Sequence, residues 1–273
     1  MTAALIGVEL SKLARRPRTW VSIGLLCLLP TIVAIFLATS DVAPRPGEGP
    51  AFLSAVLSNG TLFPAAALAM VLPVFLPVAV AVVAGDSVAG EAGGGTLRYL
   101  LLRPVGRTRL LVAKLVTVAA FDLLAVVAVA VSGYLIGTNL FGTDPTAPTT
   151  LSGTALAPPD LFQRTILTLL YIAWSMLGVA ALSLFLSTLS DSPLGAALGA
   201  LAALVLSQAL VTLEAAAAVR PYLPTRYWLA WIDFFREPIL WHDISRGVGI
   251  QGIYMAVFLG LAWANFVTKD VTT

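Results

Sequence analysis

Long apolar runs separated by short polar breaks dominate the chain. A helix rises about 1.5 Å per residue, so about 20 apolar residues cross a hydrocarbon core of about 30 Å. Six segments have that length: 20–39, 61–84, 110–137, 165–186, 194–213 and 250–267. Backbone amides and carbonyls find no water in lipid, so each run is predicted to be helical. The runs are too long, and alternate too little, for the strands of a membrane barrel. The predicted fold class is all-α: one polytopic membrane domain, residues 1–273, with six transmembrane helices. Pro64, Pro73 and Pro77 fall in the second run, where missing amide donors should kink it.

The segments between the runs differ in character. In residues 3–16, Ile6, Leu10 and Leu13 recur at helical spacing, while Glu9, Lys12, Arg15 and Arg16 occupy other faces. That pattern suits a helix lying in the membrane interface, where basic side chains meet anionic headgroups; a disordered basic leader is the alternative. The run 20–39 is longer than the roughly 7–15 residues of a signal-peptide core, so a retained first span is expected. Segments 41–60 and 138–163 are rich in Pro, Gly, Thr and Ser and read as connectors. Segment 214–249 is different, with Trp228, Trp231 and Phe235 on one helical face. It reads as short re-entrant or interfacial helices broken at Pro221, Pro224 and Pro238, or as an ordinary aromatic belt at the headgroups.

Composition narrows the class. Only 11% of residues are charged and 59% are hydrophobic, against about 25% charged in a soluble domain. A net charge of +2 gives no reason to expect a nucleic-acid partner. Cys27 is the sole cysteine, so no intrachain disulfide and no multi-cysteine metal site can form. Sides alternate along six spans. One side collects Lys12, Arg15, Arg16, Arg18, Arg98, Arg103, Arg107, Arg109, Lys114 and Lys269; the other has Arg45, Arg164, Arg220, Arg226, Arg236 and Arg246. The positive-inside rule then places both termini in the cytoplasm of a multi-pass cell-membrane protein, with 214–249 outside.

The charged break between the second and third runs, 85–109, carries most of the candidate chemistry. Asp86 and Glu91 stand just beyond the second run, and Gly93 to Gly95 permit a change of direction. Thr96 can cap a following turn whose Leu97, Leu100 and Leu101 form an apolar face; Pro104 ends it, and Arg107 starts the third span. This order of Asp86, Glu91, Gly95, Thr96, Leu97, Leu100, Leu101, Pro104, Arg107, Leu110 and Lys114 resembles that of ABC-2 type permeases, the membrane subunits of ATP-driven ABC exporters. The resemblance also takes in the N-terminal helix, the six spans and the long last loop. It implies that residues 1–19 hold a cytoplasmic elbow helix and that 85–109 is a coupling helix docked on a cytoplasmic ABC ATPase. It implies two copies of that ATPase, which would bind the ATP and magnesium, and a second or related permease to complete the pathway. This chain is expected to have no enzymatic activity: after Gly90 it reads Glu-Ala-Gly-Gly-Gly-Thr, lacking the lysine a P-loop needs. Glu91→Lys or Arg107→Glu is expected to leave the fold intact and loosen the ATPase.

Three further features are singled out. Asp122 lies deep in the third run, where a carboxylate costs about 2.5–3.5 kcal/mol on insertion scales; it is a contact in the translocation path, a conformational latch, or a buried structural group. Gly195 and Gly199, and Gly133 and Gly137, form two GxxxG pairs that allow close helix approach, either between protomers or within one. His242, the sole histidine, falls in the last loop and has no catalytic companions. A secondary transporter or channel would need more ionisable groups along its path than Asp122 offers. A sensor or assembly subunit on the same scaffold is the third reading. Nothing in the spans identifies a substrate.

Overall fold

The structure, a computed structural model, describes residues 2–39, 59–94, 106–143 and 157–268. Those residues form α-helices and short 3-10 turns, with no strand among them. The helices are α1 (Thr2–Arg15), α2 (Pro17–Thr39), α3 (Phe63–Val71), α4 (Phe75–Gly93), α5 (Arg107–Phe141), α6 (Pro158–Leu189), α7 (Pro193–Thr212) and α8 (Trp241–Thr268). Six of them, α2 and α4 to α8, are long and apolar enough to cross a membrane. The fold is that of an all-α, multi-pass membrane protein.

Two boundaries depart from the apolar pattern. The second run does not make one helix. It breaks at Leu72–Val74 into α3 and α4. Proline placement gives the reason: Pro64 and Pro77 sit in first turns, where a missing amide costs nothing, and Pro73 takes the break itself. Helix α4 then runs past the apolar segment to Gly93, so Asp86 and Glu91 are helical residues rather than loop residues. Helix α5 is likewise long: its 35 residues span about 52 Å, well beyond a hydrocarbon core of about 30 Å.

Hydrogen bonds between elements show how the bundle is threaded. At one end, Ser187 of α6 meets Gly85 and Val88 of α4, and Asn265 of α8 reaches Thr188 of α6. The start of α5 joins them through Arg107, which bonds the carbonyls of Phe266 and Val267 at 3.2 and 2.8 Å. Helix α1 packs here too. At the opposite end, Gly60 bonds Gly142, and Arg164 at the start of α6 meets the segment before α8. Consecutive spans therefore run antiparallel.

The core is built mainly on α4, α5 and α6, whose Leu76, Val80, Phe121, Val126, Ile172 and Met176 are fully buried. Helices α2, α7 and α8 lie outside it and expose large apolar side chains, among them Leu25, Phe36, Val205 and Ile253. In a membrane such faces meet lipid or another chain. The pair Gly133 and Gly137 packs inside the protomer: a methyl on Gly133 would stand 3.1 Å from both Ala67 Cβ and Pro64 Cα of α3. Gly195 and Gly199 lie on the exposed side of α7, with only Leu186 of α6 close to the second.

Candidate functional site

The charged end of the bundle is where helix ends converge. Proline at position 17 stops α1, and α2 starts there at a new angle, which lays α1 beside α4 and α5. Glu9 and Lys12, one turn apart on α1, then face Glu91 of α4 and Lys114 of α5. Lys114 Nζ stands 2.6 Å from Glu91 Oε2 and 3.7 Å from Glu9 Oε2, and donates to the Ser87 carbonyl at 2.5 Å. Lys12 Nζ lies 2.6 Å from Glu9 Oε1 and 3.2 Å from Glu91 Oε1. The four groups form a closed two-acid, two-base cluster around a cavity of about 40 Å³. Lys114 is only 2% exposed. One turn earlier on α4, Asp86 takes Arg16 at 2.7 Å and Arg18 as well.

Burial of these charges sets their titration. Burial pushes the Glu9 carboxyl up, but Lys114 and then the Lys12 hydrogen bond and charge pull harder, and the net shift is down. For Lys12 burial pulls down, while the hydrogen bond to Glu9 and the charge of Glu91 outweigh it and the net shift is up. A lowered carboxyl stabilises the fold above its ordinary range and loses that contribution as pH falls through the lowered value. A raised amine stabilises below its ordinary range and loses the contribution as pH rises through the raised value. The contributions of Glu9 and Lys12 are therefore full across the neutral range; that of Glu9 is lost in acid and that of Lys12 in alkali.

The segment that joins the two halves of this cluster follows directly. Gly95, Thr96, Leu97, Leu100, Leu101 and Pro104 lie outside the described residues, but both of their flanks are placed. On the near flank Glu91 is tied to α1 and α5. On the far flank Arg107, first residue of α5, caps the C-terminal carbonyls of α8, where a cation meets the negative end of the helix dipole. Trp263 Nε1 adds a 3.0 Å bond to Thr108 Oγ1 beside it.

Residues 5–192 of the chain match the family model described as ABC-2 family transporter protein. The chain belongs to the ABC-2 transporter family. The match spans α1 to the α6–α7 turn and so contains the whole charged cluster, while α7, the aromatic segment and α8 lie beyond it. A comparison with curated proteins finds no match. As an ABC-2 protein the chain is a membrane permease of ABC-type transport, a class that works with an ATPase partner.

The geometry revises how the predicted residues of this ABC-2 permease are used. Asp86 and Glu91, expected in the coupling segment, are paired within the chain: Glu91 with Lys12 of α1 and Lys114 of α5, and Asp86 with Arg16 between α1 and α2 and Arg18 of α2. The reason is length: α4 continues two turns past its apolar run, which carries Glu91 to Lys12 of α1 and Asp86 to the arginines at the α1–α2 junction. Lys114, which the sequence offered as the last residue of the family-like order, is the centre of the cluster. Sequence reasoning could have found it by pairing the i, i+3 acid and base of α1 with unmatched charges elsewhere.

The aromatic segment also departs from expectation. Residues 214–240 hold three short 3-10 turns, Glu214–Ala216, Arg220–Tyr222 and Ala230–Phe235. Trp228, Trp231 and Phe235 are buried in the protein core instead of facing headgroups, being 5%, 0% and 1% exposed. Three side chains fold the segment inward. Arg164 donates to the carbonyls of Phe234 and Arg236 at 3.1 and 3.0 Å and pairs with Glu237. Tyr171 Oη donates to the Tyr227 carbonyl at 2.7 Å, and Gln251 Nε2 to that of Pro224 at 2.6 Å. The segment is a plug over one end of the bundle.

Asp122 sits near the middle of α5 and is 1% exposed, and neither carboxyl oxygen has a hydrogen-bond partner among the described residues. A buried polar group without a partner costs stability, and an apolar residue of similar volume removes that cost. Asp122→Leu is accordingly expected to keep or raise the melting temperature in detergent. A clear fall in thermal unfolding would show that the carboxyl has a stabilising contact.

Proposed function

We propose that this ABC-2 chain is the permease half of an ATP-driven exporter, coupled through residues 95–105 to a separate cytoplasmic ATPase. The observation that carries the reading is that both flanks of this segment are gripped. A load on 95–105 reaches α1 and α5 through Glu91 and Lys114, and reaches α8 through Arg107. A partner can bias two arrangements of the bundle only through contacts that differ between them. Rigid attachments at both flanks make such contacts count.

In this reading the charged end, with both chain termini, faces the cytoplasm, as the excess of lysine and arginine there supports. The aromatic plug faces outward in the cell membrane. Two ATPases, each binding ATP and magnesium, would serve a pair of permeases, either two copies of this chain or this chain and a relative. Export rather than import follows from the family reading alone, and the enzyme activity belongs to the partner.

The test is purification of the chain from its native membrane and reconstitution of the purified complex in lipid vesicles. An ATP hydrolase should co-purify, and movement of solutes should require ATP. Transport that persists in an ion gradient without ATP or a hydrolase would instead establish a secondary transporter. Binding of a hydrolase without any ATP-dependent transport would favour a sensor or assembly subunit.

A further inference from the structure

Two serines one turn apart on α6 face α4, and only one of them acts on the helix ladder. Ser183 and Ser187 are both fully buried. Ser183 Oγ donates to the Ala81 carbonyl at 2.7 Å. Ser187 does more: its hydroxyl donates to the Gly85 carbonyl at 2.6 Å and accepts from the amides of Val88 and Ala89 at 3.1 and 2.9 Å. Gly85 and Ala89 are the two members of a single i→i+4 pair, so a side chain from a neighbouring helix bridges a ladder position of α4. A group inserted at the ladder is one of the few identifiable causes of a helix bend.

The bridged turn lies at a change in the character of α4. Before it, Phe75–Ala84 is wholly apolar. After it come Asp86, held by Arg16 and Arg18, and Glu91, held by Lys12 and Lys114. The crossing is also tight. A methyl on Gly85 would stand 3.0 Å from the Ala197 amide nitrogen and 3.2 Å from both the Pro193 carbonyl oxygen and Ser183 Oγ. Helices α4, α6 and α7 thus meet at Gly85, where Ser187 offers hydrogen bonds to both members of one ladder pair of α4.

We infer that Ser187 is a positioning residue of the coupling machinery. Its hydroxyl sustains a pivot at Gly85–Ala89, about which the polar end of α4 moves relative to the membrane part. This inference rests on the coupling role proposed for residues 95–105. With the hydroxyl the turn can exchange ladder bonds for bonds to Ser187 and change angle without leaving buried groups unpaired. Without it, α4 closes its own ladder and becomes one stiff rod. The protein stays folded, but motion at Glu91 no longer turns into a rearrangement of the bundle.

The experiment compares Ser187→Ala, Ser187→Thr and Ser183→Ala, each as the full chain with its partner hydrolase in lipid vesicles. Ser187→Ala should keep hydrolase binding and ATP turnover, yet lose about fivefold or more in solute moved per ATP. Ser187→Thr retains the hydroxyl and should recover the ratio. Ser183→Ala removes a bond of the same kind at the neighbouring turn and should leave the ratio unchanged. A second readout does not need the partner: amide hydrogen exchange across residues 85–93 should slow in Ser187→Ala, because the ladder closes. Unchanged exchange there overturns the pivot by itself. A wild-type ratio in Ser187→Ala, or equal loss in Ser183→Ala, also overturns it while the coupling role stands. If the wild-type chain binds no hydrolase, the coupling role fails, and with it the assignment of Ser187 to coupling.

Discussion

Glu91→Lys is expected to accumulate poorly and to melt well below the wild-type protein. The substitution would place a third ammonium beside Lys12 and Lys114, leaving Glu9 as their sole acid in a cavity of about 40 Å³. Removing one partner of a buried pair costs about 3–5 kcal/mol, because the remaining charge stays in a medium that solvates it badly. Here the deficit falls on Lys114, which is 2% exposed. The milder Glu91→Gln should lose part of this. The decisive variant combines Glu91→Lys with Lys114→Glu, which restores two acids and two bases and should recover much of the lost stability. Thermal unfolding in detergent and folded yield read the series. If Glu91→Lys melts like the wild type and only releases the ATPase, Glu91 serves docking and the internal pairing is not what holds this end together.

A side chain at Gly137 should be as damaging for an unrelated reason. A Cβ there would meet Phe63 Cβ and the Gly60 carbonyl oxygen at separations atoms do not reach, and backbone on one side cannot yield as a flexible chain end can. Overpacking a well-filled core costs about 1–3 kcal/mol and more where backbone has to shift. Gly137→Val should therefore abolish folded protein, and Gly137→Ala should lower the melting temperature sharply. Gly195→Ala makes the contrast. Its nearest atoms are Ser192 Cβ at 3.4 Å and two serine hydroxyls at 3.5 Å, an ordinary contact distance, so its monomer stability should be unchanged. Equal tolerance of Gly137→Ala and Gly195→Ala would show that α5 does not pack against α3 as described.

These two cases show why the same motif reads differently in sequence and structure. Both GxxxG pairs announce close helix approach, and neither says which helix approaches. For Gly133 and Gly137 the answer depends on Pro73, whose break between α3 and α4 frees Phe63–Val71 to lie against α5. The aromatic loop is a similar case. Its rings mark a special segment, but Arg164, Tyr171 and Gln251, on two helices distant in sequence, decide that the rings turn inward.

What the sequence alone determined is set by local, additive physics. Runs of about 20 apolar residues force helices across lipid because a single segment can satisfy its own backbone hydrogen bonds there only as a helix. Pro73 takes the break in the second run, although Pro30 is carried inside α2, and the order of charged and glycine residues after the second span resembles that of the family. What only the tertiary structure decided is which charges and hydroxyls meet. Glu9, Lys12, Glu91 and Lys114 come from three helices, and Ser187 reaches Gly85 across 102 positions. A single chain's pattern has no term for such pairings, since they depend on helix lengths, crossing positions and the desolvation that packing imposes.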